Sequence, residues 1–111
     1  MIVTVFKSRI RPDVDHSWAE ASGQRMYELA SAMPGFISYK EYSAEDGESV
    51  AVVEFRTAEE LKACREHHEH VEIQGRGRKE LFDTYEIIIG EVTRRYRFDL
   101  ETGRTDLSID G

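Results

Sequence analysis

The sequence predicts an α+β domain of order β-α-β-β-α-β over residues 1–93, with a four-stranded antiparallel sheet. Three observations carry that expectation. Apolar runs rich in β-branched and aromatic residues recur at 2–10, 36–42, 50–55 and 85–92. Between the first two, apolar and small residues return at three- and four-residue steps. Before the fourth run stands a helix-start signal, Thr57-Ala-Glu-Glu60.

Each element follows from local chemistry. IVTVFKSRI at 2–10 is a strand that stops at Pro12, whose ring removes a donor and favours a turn. Asp13 or Asp15 is placed to cap a helix over 14–33, and Trp18, Ser22, Met26, Leu29 and Met33 form its buried stripe. Pro34-Gly35 ends that helix. FISYKEY at 36–42 and VAVVEF at 50–55 are strands joined through SAEDGES as a hairpin. In the capping box, Thr57 is expected to accept from the Glu60 amide while Glu60 reaches back, opening a helix with Leu61 and Cys64 inward. Residues 69–80 form a further short helical piece, loosened around Gly75 and Gly77. YEIIIGEV at 85–92 is the fourth strand. Residues 94–111 are a C-terminal extension, a short hairpin or arm turning at Thr102-Gly103. The order is that of ferredoxin-like domains, in which both helices cover one sheet face.

The other face also needs a cover. In IVTVF, VAVVEF and YEIIIGEV both alternating sets of side chains are largely apolar, whereas a sheet with one wet face alternates more cleanly. A second copy of the sheet is the simplest partner, so a homodimer with sheets face to face is expected.

Composition narrows the function classes. At 111 residues, 40% hydrophobic and 33% charged, the chain is a single folded domain rather than a disordered segment. No apolar run approaches the ~20 residues of a membrane span, and MIVTVFKSR lacks the order of a signal peptide. The single cysteine allows no internal disulfide and no four-cysteine zinc site, and a cytoplasmic location is expected. A net charge of −7 argues against nucleic acid. The local basic run Arg76, Arg78, Lys79 is flanked by Glu72, Glu80 and Asp83 and reads as a solvated helix face.

His67, His68 and His70 are three of the four histidines. On continuous helix His67 and His70 would share a face, offering two nitrogens to a metal, an acid/base pair to a pocket, or a polar helix end. A stable metal site needs a third ligand, which Gln74 serves poorly, so no metal is expected. Cys64 reads as a small core residue, and Trp18 as part of the helix stripe. Tyr39, Tyr42 and Tyr85 lie on strands from which their hydroxyls can reach a cavity between sheet and helices. Gly75-Arg76-Gly77 follows a helix and is not a phosphate loop.

The run MPGFISYKEYSAEDGESVAVVEF, followed by LKACREHHEH and then Gln74-Gly-Arg-Gly-Arg78, resembles the antibiotic biosynthesis monooxygenase family over residues 1–93. The resemblance implies a ferredoxin-like fold paired as a dimeric α+β barrel. It also implies cofactor-free oxidation of hydroquinones or polyketide phenols, although the family includes haem-degrading members. Two departures stand out: Cys64 replaces the usual tryptophan, and His68 replaces a structural proline. In the haem-degrading branch the iron-ligating histidine falls on Gln74 and a first-strand asparagine near Phe6, and glutamine is not a usual haem ligand.

What the resemblance implies is therefore a cofactor-independent monooxygenase acting on a small electron-rich aromatic, a hydroquinone or polyphenol, with O₂. His70 and His67 are the candidate base or hydrogen-bonding groups. Tyr39, Tyr85, Arg78, Gln74, Cys64, Trp18 and Phe6 are the candidate substrate contacts. The alternatives are a non-enzymatic dimeric barrel that binds a small ligand or serves a stress role, and a haem-binding protein using His70.

Overall fold

The computed structural model, which describes residues 1–110, has four core strands and three helices, followed by a separate hairpin. The strands are β1 (Ile2–Ile10), β2 (Phe36–Ser43), β3 (Ser49–Phe55) and β4 (Phe82–Glu91), arranged antiparallel in the order β2-β3-β1-β4. Helix α1 (His16–Ala32) joins β1 to β2, and α2 (Ala58–Arg65) and α3 (His68–Glu80) join β3 to β4. This is the ferredoxin-like α+β architecture.

Capping chemistry sets the helix starts. The Asp15 carboxylate accepts from the amides of Ser17 at 2.9 Å and Trp18 at 3.3 Å, so α1 begins just after it. At α2 the Thr57 hydroxyl accepts from the Glu60 amide at 3.1 Å. The Glu60 side chain does not reach back to the backbone as a reciprocal box would. It accepts from the Thr57 hydroxyl and from Arg56 instead, and lies against Gly35, whose φ of +82° makes the turn into β2.

The third helix differs from expectation, for it runs unbroken through Gly75 and Gly77. A Cβ at Gly77 would sit 2.7 Å from Cε2 of Phe82, so the missing side chain lets the first aromatic of β4 pack onto the helix. That contact also explains why β4 begins at Phe82 rather than near residue 85. Ile10 pairs with Phe82 across a register shift that follows Arg9.

Register assigns the two sheet faces. Ile2, Thr4, Phe6, Ser8 and Ile10 of β1 point toward the helices, as do Ala51, Val53 and Phe55 of β3. Phe55 is 1% exposed and anchors a core with Ala30, Leu61 and Cys64, against which Ile2, Met33, Phe36, Tyr39 and Val53 pack. Away from the helices, Val52, Val5 and Ile88 form an apolar row across three strands.

Beyond β4 the chain forms a hairpin of β5 (Arg95–Asp99) and β6 (Gly103–Leu107), a two-stranded sheet of its own. Tyr96, Phe98 and Leu100 of this segment are exposed, and Arg94 and Arg104 stack over the Tyr96 ring. The radius of gyration of 15.5 Å exceeds the ~13 Å of a compact domain this long, as a projecting hairpin requires. Gly111, the last residue of the expected extension, lies outside the described residues. Among the described residues no helix is long and apolar enough to cross a membrane.

Candidate functional site

A cavity of about 650 Å³ lies between the sheet and the helix layer, bordering the Phe55 core. Its floor is the helix-facing side of the sheet, with Thr4, Phe6 and Ser8 of β1, Tyr39 of β2 and Ile87 and Ile89 of β4. Its roof is Trp18, Ser22 and Met26 of α1, Cys64 of α2, and His70, Ile73 and Gln74 of α3. The alternating strand and the helix stripe thus meet across one space. The charged side chains around it, Glu20, Glu41 and Arg65, are exposed and belong to its rim.

Six of the nine candidate side chains converge here: Phe6, Trp18, Tyr39, Cys64, His70 and Gln74. Trp18 is held by the Arg76 guanidinium stacked 4.3 Å from its ring centre, joining α1 to α3. Arg25 ties the same helices, donating to both Glu69 oxygens at 2.8 Å. Glu69 immediately precedes His70, so this exposed clamp fixes the turn that carries the imidazole.

The other three lie outside the lining. His67 does not share a helix face with His70, because the chain breaks between α2 and α3 there. With φ −59° and ψ 133°, His67 caps α3, its Nδ1 accepting from the Glu69 amide at 3.2 Å while its ring stacks on His68. Arg78 donates to the Tyr85 hydroxyl at 3.3 Å, and the Tyr85 ring packs on Phe6 and Phe82 behind the cavity wall. Among the described residues no three His, Cys, Asp or Glu side chains are grouped as metal ligands would be.

Burial sets the protonation of the groups inside. His70 is pushed below its ordinary value by burial, helped by the nearby His67 and Arg65, so its imidazole is neutral near pH 7. Tyr39 is raised by burial and by Glu41, to which its hydroxyl donates at 3.0 Å, and it stays a phenol. Burial likewise raises the Cys64 thiol. The interior is therefore polar in places but uncharged.

Sequence reasoning missed Thr4. The Thr4 Oγ1 atom is buried and has no hydrogen-bond partner, and His70 Nδ1 is in the same condition. The signal for Thr4 was available: it is the one polar residue among Ile2, Thr4 and Phe6, the helix-facing set at the start of β1.

Comparison with known proteins agrees with this fold. Residues 1–76 match the family described as "Antibiotic biosynthesis monooxygenase". The uncharacterized protein YqjZ of Bacillus subtilis is 26% identical over 98 residues, covering 88% of this chain and 85% of YqjZ. Rv0793 of Mycobacterium tuberculosis superposes with a TM-score of 0.71 at 20% identity, over 80% of this chain and 91% of its own. SnoaB of Streptomyces nogalater, a cofactor-independent oxygenase, superposes with a TM-score of 0.68 at 13% identity, over 89% and 95%. These structural likenesses carry the fold, and the match over residues 1–76 carries the family: the chain belongs to the antibiotic biosynthesis monooxygenase family.

Proposed function

We propose that this chain is a cofactor-independent monooxygenase that oxidises a small electron-rich aromatic, a hydroquinone or polyphenol, with O₂. The observation that carries this reading is the apolar cavity with a neutral imidazole, His70, in its wall and charge only at its rim. A neutral imidazole has a free lone pair to accept the phenol proton at pH 7, and the apolar surround keeps water away from the reacting radical pair.

In this scheme His70 takes the phenol proton, and the phenolate passes one electron to O₂, giving a phenoxyl radical and superoxide. The two combine to form one carbon–oxygen bond, and the His70 imidazolium returns its proton to the peroxide anion, giving a ring hydroperoxide. Loss of the ring C–H proton then breaks the O–O bond, releasing water and leaving a quinone. One phenol and one O₂ thus become one quinone and one water. Phe6, Trp18 and Met26 hold the ring, and Tyr39, tied to Glu41, closes the β2 side. His67 serves the site indirectly, by starting the helix that carries His70.

The apolar row Val52, Val5 and Ile88 supports the pairing of two sheets face to face as a homodimer. Residues 1–93 then form the catalytic domain and residues 94–111 an extension to it.

O₂ uptake by purified protein with a panel of naphthols and hydroquinones, without added metal or flavin, tests the activity. Uptake that H70A abolishes supports it. Binding of the same compounds without uptake favours a non-enzymatic ligand-binding barrel. A hemin Soret shift lost in H70A would replace both readings with haem binding, against the glutamine at position 74.

A further inference from the structure

The C-terminal hairpin is a part of the chain that the cavity does not use. Among the described residues its strands β5 and β6 pair only with each other. Tyr96 and Phe98 alternate onto one side of β5, with Arg94 and Arg104 stacked over the Tyr96 ring and Leu100 following at the turn. That side is bare: Tyr96 is 57% exposed, Phe98 70% and Leu100 91%. A two-stranded hairpin is marginal by itself in water and gains stability when its apolar side packs on something. Large apolar side chains gathered on one side of an isolated hairpin mark a surface that is covered in use. Resting on the face-to-face pairing proposed above, we infer that the hairpin is an arm that lies on a second copy of this chain, with Tyr96 and Phe98 as its anchors.

Position, area and charge favour a second copy as the occupant. The arm leaves the sheet beside the paired face: β4 carries Ile88 of the apolar row, and just past its end the Val92 amide still donates to the Met1 carbonyl at 2.9 Å. Only Thr93 separates that tie from Arg94, so the hairpin starts at the edge of the face. The face itself is small. Four strands ~4.8 Å apart and about seven residues long span about 450 Å², whereas a stable interface covers ~800 Å² on each partner. The two rings of an arm can bury roughly 300–500 Å², which makes up the difference. Within residues 94–111 four arginines balance four carboxylates, so the −7 of the chain rests on residues 1–93. Two such bodies repel, and an arm of no net charge, carrying arginine and aromatic side chains, can lie on the partner without adding to that repulsion.

The test has two parts, both on the full chain. Sedimentation equilibrium of wild type and of Y96S/F98S gives the dimer dissociation constant, which the double variant should raise about 100-fold, as the loss of two aromatic anchors implies. Brief trypsin digestion of wild type across a dilution series reads the arm directly, because Arg94, Arg95, Arg97 and Arg104 are cleavage sites within it. Cutting at these arginines should be suppressed where wild type is dimeric and appear on dilution to monomer. A wild type that is monomeric at every concentration would remove the face-to-face pairing and the arm with it. A wild-type dimer whose dissociation constant is unchanged in Y96S/F98S, or whose hairpin is cut equally at every dilution, would overturn the arm alone and assign its apolar side to a different protein or to a lipid surface.

Discussion

Replacing Gly77 by alanine sets two known effects against each other at a point that shapes the cavity. In favour of the variant, alanine is better than glycine inside a helix by ~1 kcal/mol. Against it, the new Cβ would stand 2.7 Å from Cε2 and 3.1 Å from Cδ2 of Phe82. Carbon atoms rest at about 3.5–4.0 Å, so the ring must withdraw by about 1 Å. It has little room to do so. Phe82 packs edge-on to Phe6 with ring centres 5.6 Å apart, and to Tyr85 at 5.4 Å. Overpacking of this kind costs about 1–3 kcal/mol, which outweighs the propensity gain. G77A should therefore be destabilised by ~1 kcal/mol on balance, lowering Tm by about 4–8 °C. The paired control is G75A, whose Cβ meets only the Arg78 guanidinium at 3.7 Å. It should gain most of the ~1 kcal/mol of propensity and melt higher than wild type. Thermal and urea melts of the three proteins decide the matter. A G77A protein as stable as G75A would refute the close helix–strand approach and the wall that Phe6 and Phe82 build from it.

Three further outcomes follow from the same structure. Because the folded-state pKa of His70 lies below its unfolded value near 6.5, the unfolded chain binds that proton first. Wild-type stability should be full above that value and fall as the pH drops below about 6.5, and H70F should lack this component in urea melts taken across the range. Cys64 is buried with a raised thiol pKa, so a disulfide reagent at pH 7 should modify it only in denaturant, and rapid modification of native protein would contradict its place in the core. Val5→Lys puts a charge at the centre of the Val52–Val5–Ile88 row, and light scattering should show a wild-type dimer shifted to monomer; a monomeric wild type would remove the face-to-face pairing.

Much of the fold is legible in the sequence because its signals are local. Strand alternation, the Asp15 and Thr57 caps and the Pro34-Gly35 stop each act over a few residues, and each sits where the pattern places it. The start of β4 is not local in this way: it depends on a glycine in one element admitting the ring of another. The histidine cluster shows the same divide. Spacing alone makes His67 and His70 equivalent, but a break between two helices sends one to a cap and the other into the cavity. Gln74 does reach the cavity from the expected helix, one turn beyond His70. Thr4 escaped notice because a lone threonine in an apolar strand is unremarkable until the burial of its hydroxyl is seen.

The central claim is that this cavity performs oxygen chemistry with its own side chains. Incubating metal-stripped, flavin-free protein with 1-naphthol under ¹⁸O₂, and weighing the quinone by mass spectrometry, tests it most directly. One ¹⁸O atom per quinone in wild type, with no quinone above the protein-free rate in H70A, is the predicted result. A quinone yield in wild type no greater than that of the protein-free control would contradict the account.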